Sequence, residues 1–327
     1  MATYLITGGA GFIGSHLSEE QIARGNRLRV FDNMSTGQRE NLMPGVEFVH
    51  GDITDAAAVA RALDGVDGVF HLAGVSSVLA YTTDWAASGR VNAFGSFTVF
   101  EAAARAKLPI VYASSAAIYG NPAQLPLTEQ AVPRPISGYG ADKYGNELHA
   151  AAMADSLGLS AVGLRFFNVY GPRQLPNSAY SGVITVFLNR WRDGLPLTVF
   201  GDGSQTRDFI YVKDAARALS AAMDAATRNR ATGGNAVYNV CSGRATSLLD
   251  LISALSRAVG ASMDVTYAPA RSGEIKASLG APSAATRDLG FSSQTDLVTG
   301  LAQTIASQTI SNNKGETPAS IRQEIRQ

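Results

Sequence analysis

Tyr139 and Lys143 stand four residues apart in Tyr139-Gly140-Ala141-Asp142-Lys143, where a long helical run opens, so both side chains leave one helical face. A free phenol ionises near pH 10 and is a poor base at neutrality, but an ammonium held beside it favours the phenolate. Upstream, the strand-like run Ile110-Val111-Tyr112-Ala113 delivers Ser114-Ser115, two hydroxyls able to hydrogen-bond the oxygen that the tyrosine serves. A tyrosine, lysine and serine so placed can take a proton from an alcohol while hydride leaves its carbon. Alone, the same spacing describes an ordinary amphipathic helix start, and two serines an ordinary turn. The chemistry needs a hydride acceptor.

The elements for one lie at the start of the chain. The apolar run Met1-Ala2-Thr3-Tyr4-Leu5-Ile6 enters Thr7-Gly8-Gly9-Ala10-Gly11-Phe12-Ile13-Gly14 and then a helical stretch from Ser15 to Gly25. A strand running into glycines and a helix sets backbone N–H groups and the positive helix end against a pyrophosphate. Gly8, Gly11 and Gly14 are three apart, and Gly9, Gly11 and Gly14 satisfy the commoner spacing as well. A second strand, Arg27-Leu28-Arg29-Val30-Phe31-Asp32, ends in a carboxylate eighteen positions after Gly14. An acid there accepts the adenosine ribose hydroxyls and would repel a 2′-phosphate, so the dinucleotide expected is NAD rather than NADP. The cationic nicotinamide would add to the pull of Lys143. Lowering Tyr139 by roughly three pH units takes about 4 kcal/mol, within reach of two nearby positive charges shielded from water.

Composition narrows the partners. In 327 residues, 46% are apolar and 27 basic side chains balance 27 acidic ones, so no field of one sign invites nucleic acid or an anionic membrane. Cys241 is the one cysteine, which excludes an intrachain disulfide and a multi-cysteine metal site; a small buried hydrophobe on a strand is the expected role. No metal is expected. No apolar run approaches a membrane span, and a glycine motif beginning at Gly8 leaves no room for a signal peptide, so a cytoplasmic enzyme is expected.

Strand-like runs at Tyr4–Thr7, Leu28–Phe31, Val46–His50, Gly68–Leu72, Ile110–Ser114 and Ser160–Phe166 alternate with helical stretches at Asp55–Leu63, Val91–Ala106 and Tyr144–Leu157. This rhythm predicts an α/β fold, a doubly wound parallel sheet of Rossmann type. After Asn168-Val169-Tyr170-Gly171-Pro172-Arg173 the alternation stops. A helix over Leu248–Val259, a strand within Met263–Ala268 and a helix over Leu297–Gln308 follow. The expected division is an NAD-binding domain of residues 1–173 with about 208–246, a smaller C-terminal α/β substrate lobe of 174–207 and 247–311, and a peripheral tail of 312–327.

From Ala2 to about Leu301 the chain resembles the extended short-chain dehydrogenase/reductase family and, within it, the nucleotide-sugar epimerases. The likeness rests on the Gly8/Gly11/Gly14 loop, Asp32-Asn33 with Ser35-Thr36-Gly37, His71-Leu72-Ala73-Gly74, Ser114-Ser115 with Tyr119-Gly120, Tyr139/Lys143, Arg165 to Pro172, and Gly201-Asp202-Gly203 followed by Arg207-Asp208. It implies a catalytic triad of Ser115, Tyr139 and Lys143, with Ser115 preferred to Ser114 because it lies four before Tyr119. For the cofactor it implies Gly8, Gly11, Phe12, Ile13, Gly14, Asp32, Asn33, Ser35, Thr36, Gly37, Asp52, Ile53, Leu72, Ala73, Gly74 and Asn92, together with Tyr139 and Lys143.

The resemblance also implies a UDP-sugar. Arg207 and Arg271 match the pyrophosphate positions, Glu274 the acid on the nucleoside ribose, and Asn168 a pyrophosphate or sugar contact; Val183, Ser76 and Ser115 fall on the substrate side, and Leu195–Phe200 along the uracil. C4 epimerisation through a transient 4-keto sugar is the activity implied. The related 4,6-dehydratases place an Asp-Glu pair where this chain has Ala116 and Ala117, which removes the eliminating acid and base. A decarboxylase of glucuronate derivatives, a plain NAD-dependent dehydrogenase and a non-catalytic NAD-binding regulator are the alternatives. Seven positions past Arg271, where a bulky tyrosine restricts the pocket to plain hexoses, an ungapped count gives Ser278; with Arg173 to Tyr180 this points to UDP-N-acetylglucosamine, with UDP-glucose as the alternative. A homodimer through the helical stretches Val91–Ala106 and Tyr144–Leu157 is implied by resemblance. Three places depart from the family: Gly138 stands where a proline usually precedes the tyrosine, Asp142 where a serine usually precedes the lysine, and Ser76-Ser77 occupy a sugar-facing loop without the lysine some hexose epimerases carry there.

Overall fold

The computed structural model describes residues 1–76, 78–175, 182–270 and 275–313. Seven parallel strands form the central sheet: β1 (Thr3–Thr7), β2 (Arg27–Asp32), β3 (Glu47–His50), β4 (Gly68–His71), β5 (Ile110–Ser115), β6 (Ser160–Phe166) and β7 (Gly234–Val240). Their spatial order is β3-β2-β1-β4-β5-β6-β7. The chain reverses direction of growth between β1 and β4, which opens a crevice at their carboxyl ends. All side chains of β4 and β6 are buried, as the nearly unbroken apolar runs of central parallel strands require.

Alternation along the strands feeds two cores. Leu5, Val69, Ile110 and Tyr112 face one way, onto Val59 of α2 (Ala56–Ala62), Val99, Phe100 and Ala103 of α5 (Ser96–Arg105) and Ala150 of α6 (Gly138–Leu157). Ile6, Phe70 and Val111 face the other way, onto Leu17 of α1 (Phe12–Ala23) and Leu219 and Met223 of α8 (Val212–Arg228). Between them come α3 (Val78–Thr83), α4 (Trp85–Gly89) and a π-helical turn over Arg90–Gly95 that leads into α5. The helix expected over Val91–Ala106 is therefore split by a wider turn.

The remaining elements build the smaller lobe. Leu197–Phe200 pairs in parallel with Val265–Ala268, and Thr206–Arg207 antiparallel with Thr246–Ser247. Helices α7 (Val183–Arg192), α9 (Leu248–Val259) and α11 (Leu297–Asn313) pack there, with Leu188, Val199, Leu251, Leu255 and Leu301 buried together. A capping box of Ser247 and Asp250 starts α9, and left-handed Gly260 ends it. A short helix α10 (Ser283–Leu289) covers the core beside β7. Cys241 is fully buried one residue beyond β7. Strand β7 is absent from the sequence expectations because Asn235 and Asn239 interrupt its apolar pattern. Helix α11 runs past Gln308 to Asn313, and the tail from 314 lies outside the described residues. No helix among the described residues is long and apolar enough to cross a membrane.

Candidate active site

At the end of β1 the chain turns through Gly8, held at φ +71°, where a β-carbon would come 2.7 Å from the Ala73 nitrogen. A β-carbon at Gly14 would strike the Gly8 carbonyl, and one at Gly11 would lie 3.1 Å from it. These glycines let α1 start flush against the turn. Gly11 is its N-cap and offers no side chain, so the N–H groups of Phe12, Ile13 and Gly14 open the helix without a side-chain cap. The cradle fits a pyrophosphate.

Asp32, at the tip of β2, is 8% exposed. Its Oδ2 accepts from the Ala10 nitrogen at 3.1 Å and its Oδ1 from the Met34 nitrogen at 2.8 Å. Each carboxylate oxygen keeps a further lone pair for a ribose hydroxyl. A β-carbon at Gly37 would approach Asp32 Oδ1 to 2.8 Å, so glycine keeps the space beside the carboxylate open. Ser35 and Thr36 lie on the exposed loop between them. Asn33 donates to Asp52 Oδ2 at 3.0 Å and accepts from the Ser35 nitrogen. Burial pushes the Asp52 carboxyl up, but bonds from Thr54 and Asn33 outweigh it and hold the group below its usual range. Ile53 is buried under Gly95.

The strand tip after β4 completes this side. The Leu72 and Ala73 nitrogens donate to the Thr7 carbonyl and hydroxyl at 3.1 and 3.2 Å. Thr7 Oγ1 meets His71 Nδ1 at 2.8 Å, and His71 Nε2 meets Ser96 Oγ at 3.0 Å. Burial, with Lys143 nearby, holds His71 down to about 3, so it stays neutral. Asn92 lies in the π turn with its amide engaged: Oδ1 accepts from the Val75 nitrogen at 2.7 Å, and Nδ2 donates to the Val75 carbonyl and to Tyr81 Oη. It shapes the loop carrying Gly74, where a β-carbon would stand 3.7 Å from Lys143 Nζ.

Ser115 ends β5, and Tyr139 and Lys143 occupy the first turns of α6, whose N-cap Ser137 accepts from the Gly140 nitrogen. Ser115 hydrogen-bonds the Tyr139 phenol and also accepts from the Ala117 nitrogen at 3.1 Å. Lys143 is 5% exposed, with Nζ 5.8 Å from the centre of the Tyr139 ring. Burial pushes the Tyr139 phenol up, opposed by Ser115. Burial lowers Lys143 to about 8, opposed by the Asp142 carboxylate. Burial thus governs the Tyr139 phenol in the protein itself, and the downward pull expected of Lys143 does not show there.

Ser114 points elsewhere. It donates to Glu147 Oε1 at 2.5 Å, and Glu147 also receives Arg165 Nε and Nη2 at 2.9 and 2.7 Å. Arg165 Nη1 in turn donates to Tyr119 Oη at 2.8 Å, which donates to Asn239. This buried frame ties β5, β6, β7 and α6 together behind Ser115. Glu147, Tyr81 and the bonds that His71 makes to Thr7 and Ser96 were not singled out from sequence, where His71 counted only as part of a motif; a glutamate four after Lys143 reads as an ordinary helical charge.

On the substrate side, Ser76 is exposed and Val183 opens α7 half-buried. Asn168 donates through Nδ2 to the Asp208 carbonyl at 3.1 Å. The Ser278 nitrogen donates to the Thr206 carbonyl at 3.1 Å, which brings position 278 alongside the strand that carries Arg207; Arg207 Nη1 itself meets the Thr206 carbonyl at 2.8 Å. Leu195–Phe200 contributes the strand beside Val265–Ala268. Arg271, Glu274 and the segment 176–180 lie outside the described residues.

The geometry defines a dinucleotide-dependent enzyme of alcohol oxidation chemistry, and comparison with known proteins agrees. The sequence profile of the NAD dependent epimerase/dehydratase family matches residues 4–241, and the chain belongs to that family; its cofactor is NAD. It is 34% identical over 309 residues to a UDP-glucose 4-epimerase of Mycolicibacterium smegmatis, covering 92% of this chain and 96% of that one. The UDP-N-acetylglucosamine 4-epimerase of Methanobrevibacter ruminantium, solved with UDP-N-acetylmuramic acid, superposes with a TM-score of 0.88 at 33% identity, over 95% of this chain and 99% of that one. The UDP-glucose 4-epimerase of Thermus thermophilus, solved with NAD, gives 0.83 at 34% identity, over 93% and 98%.

Proposed function

We propose that the enzyme interconverts the C4 epimers of a UDP-hexose, with UDP-N-acetylglucosamine and UDP-N-acetylgalactosamine as its pair. Tyr139 carries the proposal: its phenol bonds to Ser115, sits under the Lys143 ammonium, and has alanines at positions 116 and 117 beside it instead of carboxylates. NAD+, when bound, supplies a two-way hydride store. Tyr139 Oη takes the proton of the sugar C4 hydroxyl as the carbon is oxidised. Ser115 Oγ accepts from the Ala117 nitrogen through one lone pair and has its O–H to donate to the oxygen that becomes charged. Lys143, at about 8, is mostly ammonium at neutral pH and balances the phenolate. Arg207 and Arg271 hold the pyrophosphate while the 4-keto sugar turns, and Tyr139 returns the proton on reduction from the other face. With no carboxylate at 116 or 117 to expel the 6-hydroxyl, epimerisation is favoured over dehydration.

Ser278 supports the acetylated substrate, since a small residue beside Arg207 leaves room that a tyrosine would fill. Incubation with UDP-N-acetylglucosamine and with UDP-glucose, followed by proton NMR and by absorbance for NADH, tests both levels. The galacto epimer forming mainly from the acetylated sugar without accumulating NADH is the expected result, and Ser278→Tyr removes that activity selectively. Conversion of UDP-glucose alone refutes the acetylated assignment; no epimer from either sugar refutes the epimerase. A homodimer through α5 and α6 is part of the proposal, supported by Phe94 in the turn that leads into α5 and Leu148 on α6, each more than half exposed. Sedimentation velocity measures it.

A further inference from the structure

We propose that Tyr81 and Asp142, together with Asn92, form a clasp that positions Lys143 by tying the loop after β4 to the catalytic helix α6. Tyr81 sits on α3 and is 2% exposed. Its hydroxyl donates to the Asp142 carboxylate and accepts from Asn92 Nδ2 at 2.8 Å. Asn92 in turn grips both backbone groups of Val75, at 2.7 and 2.9 Å, and Val75 follows Gly74, where a β-carbon would come 2.9 Å from Asn92 Oδ1 and 3.7 Å from Lys143 Nζ. An unbroken chain of hydrogen bonds therefore runs from the loop beside the ammonium, through the π turn and α3, to the residue preceding Lys143 on its own helix.

Gly138 belongs to the same device. A β-carbon there would collide with the Tyr81 ring and come 2.8 Å from Trp85 Cζ2. Tyr81 and Trp85 pack edge to face, with centroids 5.5 Å apart. The two positions at which this chain departs from the family pattern beside its tyrosine and lysine, 138 and 142, thus meet one side chain. A residue larger than glycine at 138 would displace the ring; a serine at 142 would remove the anion that its hydroxyl engages. Tyr81 touches none of the reacting groups, so it is a positioning residue.

Charge gives the clasp a second effect. Lys143 is faced by Asp142 and Tyr139 from its own helix, by neutral His71 from β4, and by the uncharged Gly74 and Asn92. Asp142 is the anion that favours the ammonium against burial. Asp142 itself is pushed up by burial and brought back by the Tyr81 bond and by Lys143. Loosening Tyr81 therefore weakens the carboxylate that keeps Lys143 protonated.

Three single variants and one double separate the effects: Asp142→Asn, which keeps an acceptor for Tyr81 without the charge, Asp142→Ser, Tyr81→Phe, and Tyr81→Phe with Asp142→Ser. Asp142→Asn is expected to keep plateau kcat within about threefold while the alkaline limb of kcat moves to lower pH by at least about half a unit. Tyr81→Phe and Asp142→Ser each lower kcat about tenfold with KM nearly unchanged, and the double variant is no worse than the poorer single one. An Asp142→Asn profile that superimposes on wild type, or Tyr81→Phe with full kcat, overturns the clasp. The kinetic readout rests on the epimerase reading, so the titration of Lys143 is also followed by NMR in protein labelled with 13C-lysine, assigned by Lys143→Arg. A lower titration point in Asp142→Asn supports the clasp even if neither UDP-sugar is turned over, and an unchanged one refutes it.

Discussion

Replacing Lys143 by methionine should destroy activity and make the nucleotide-free protein more stable. The ammonium is 5% exposed and is held at about 8 instead of 10.5, chiefly by burial. That gap corresponds to about 3 kcal/mol of folding free energy spent at neutral pH on keeping a charged lysine in place. The folded value lies below the unfolded one, so the penalty is complete below about pH 8 and lifts as pH rises from about 8 to 10.5, where both states are deprotonated. Methionine has similar length and no charge. It leaves Asp142 without its cationic neighbour, which returns a fraction of the gain. A net increase of about 2–3 kcal/mol at pH 7, roughly 3–4 °C in melting temperature for a chain of this size, is expected to fade by pH 10. Calorimetry of both proteins at pH 7 and pH 10 measures it. A variant that melts below wild type at pH 7, or a difference equal at both pH values, refutes the reasoning.

Asp32→Ala should weaken NAD binding at least tenfold by isothermal titration and reduce discrimination against NADP, since it removes the acceptor and the anion beside the ribose. Glu147→Leu strands Arg165 in a buried site together with Ser114, and should cost about 3–5 kcal/mol in urea unfolding. Glu147→Gln, which keeps acceptor geometry, should lose less.

The sheet was legible because β1, β2, β4, β5 and β6 are short apolar runs bounded by glycine, acid or serine, and those boundaries are also where ligands meet a parallel sheet. The placing of Tyr139 beside Lys143 was legible for a geometric reason, since one helical turn fixes the one against the other. Ser115 was preferred to Ser114 by resemblance alone, and the three-dimensional frame supplies a physical reason, since Ser114 turns to Glu147. β7 escaped notice because its asparagines serve neighbours: Asn239 bonds Tyr119, and Asn235 bonds the hydroxyl of Tyr112. Tyr81 gave no local signal, because its partners lie 11 and 61 residues away. Asp142 was visible as a departure from pattern, but its meaning depended on that distant ring.

The π turn over Arg90–Gly95 fixes rotational phase. It frees the Asn92 carbonyl to accept from Ser96 Oγ at 2.6 Å and from Asn146 Nδ2 of α6 at 3.1 Å. Were these same 6 residues to close as an ordinary α-helix, everything after them would turn by about 100°. Val99, Phe100 and Ala103 would rotate out of the core, and the contact with Asn146 would be lost. The extra residue that the wide turn absorbs thus decides which side of α5 is the inside. A substitution that lets the turn tighten at constant length should therefore disturb α5, whereas deletion of one residue together with the wide turn should leave α5 facing the core.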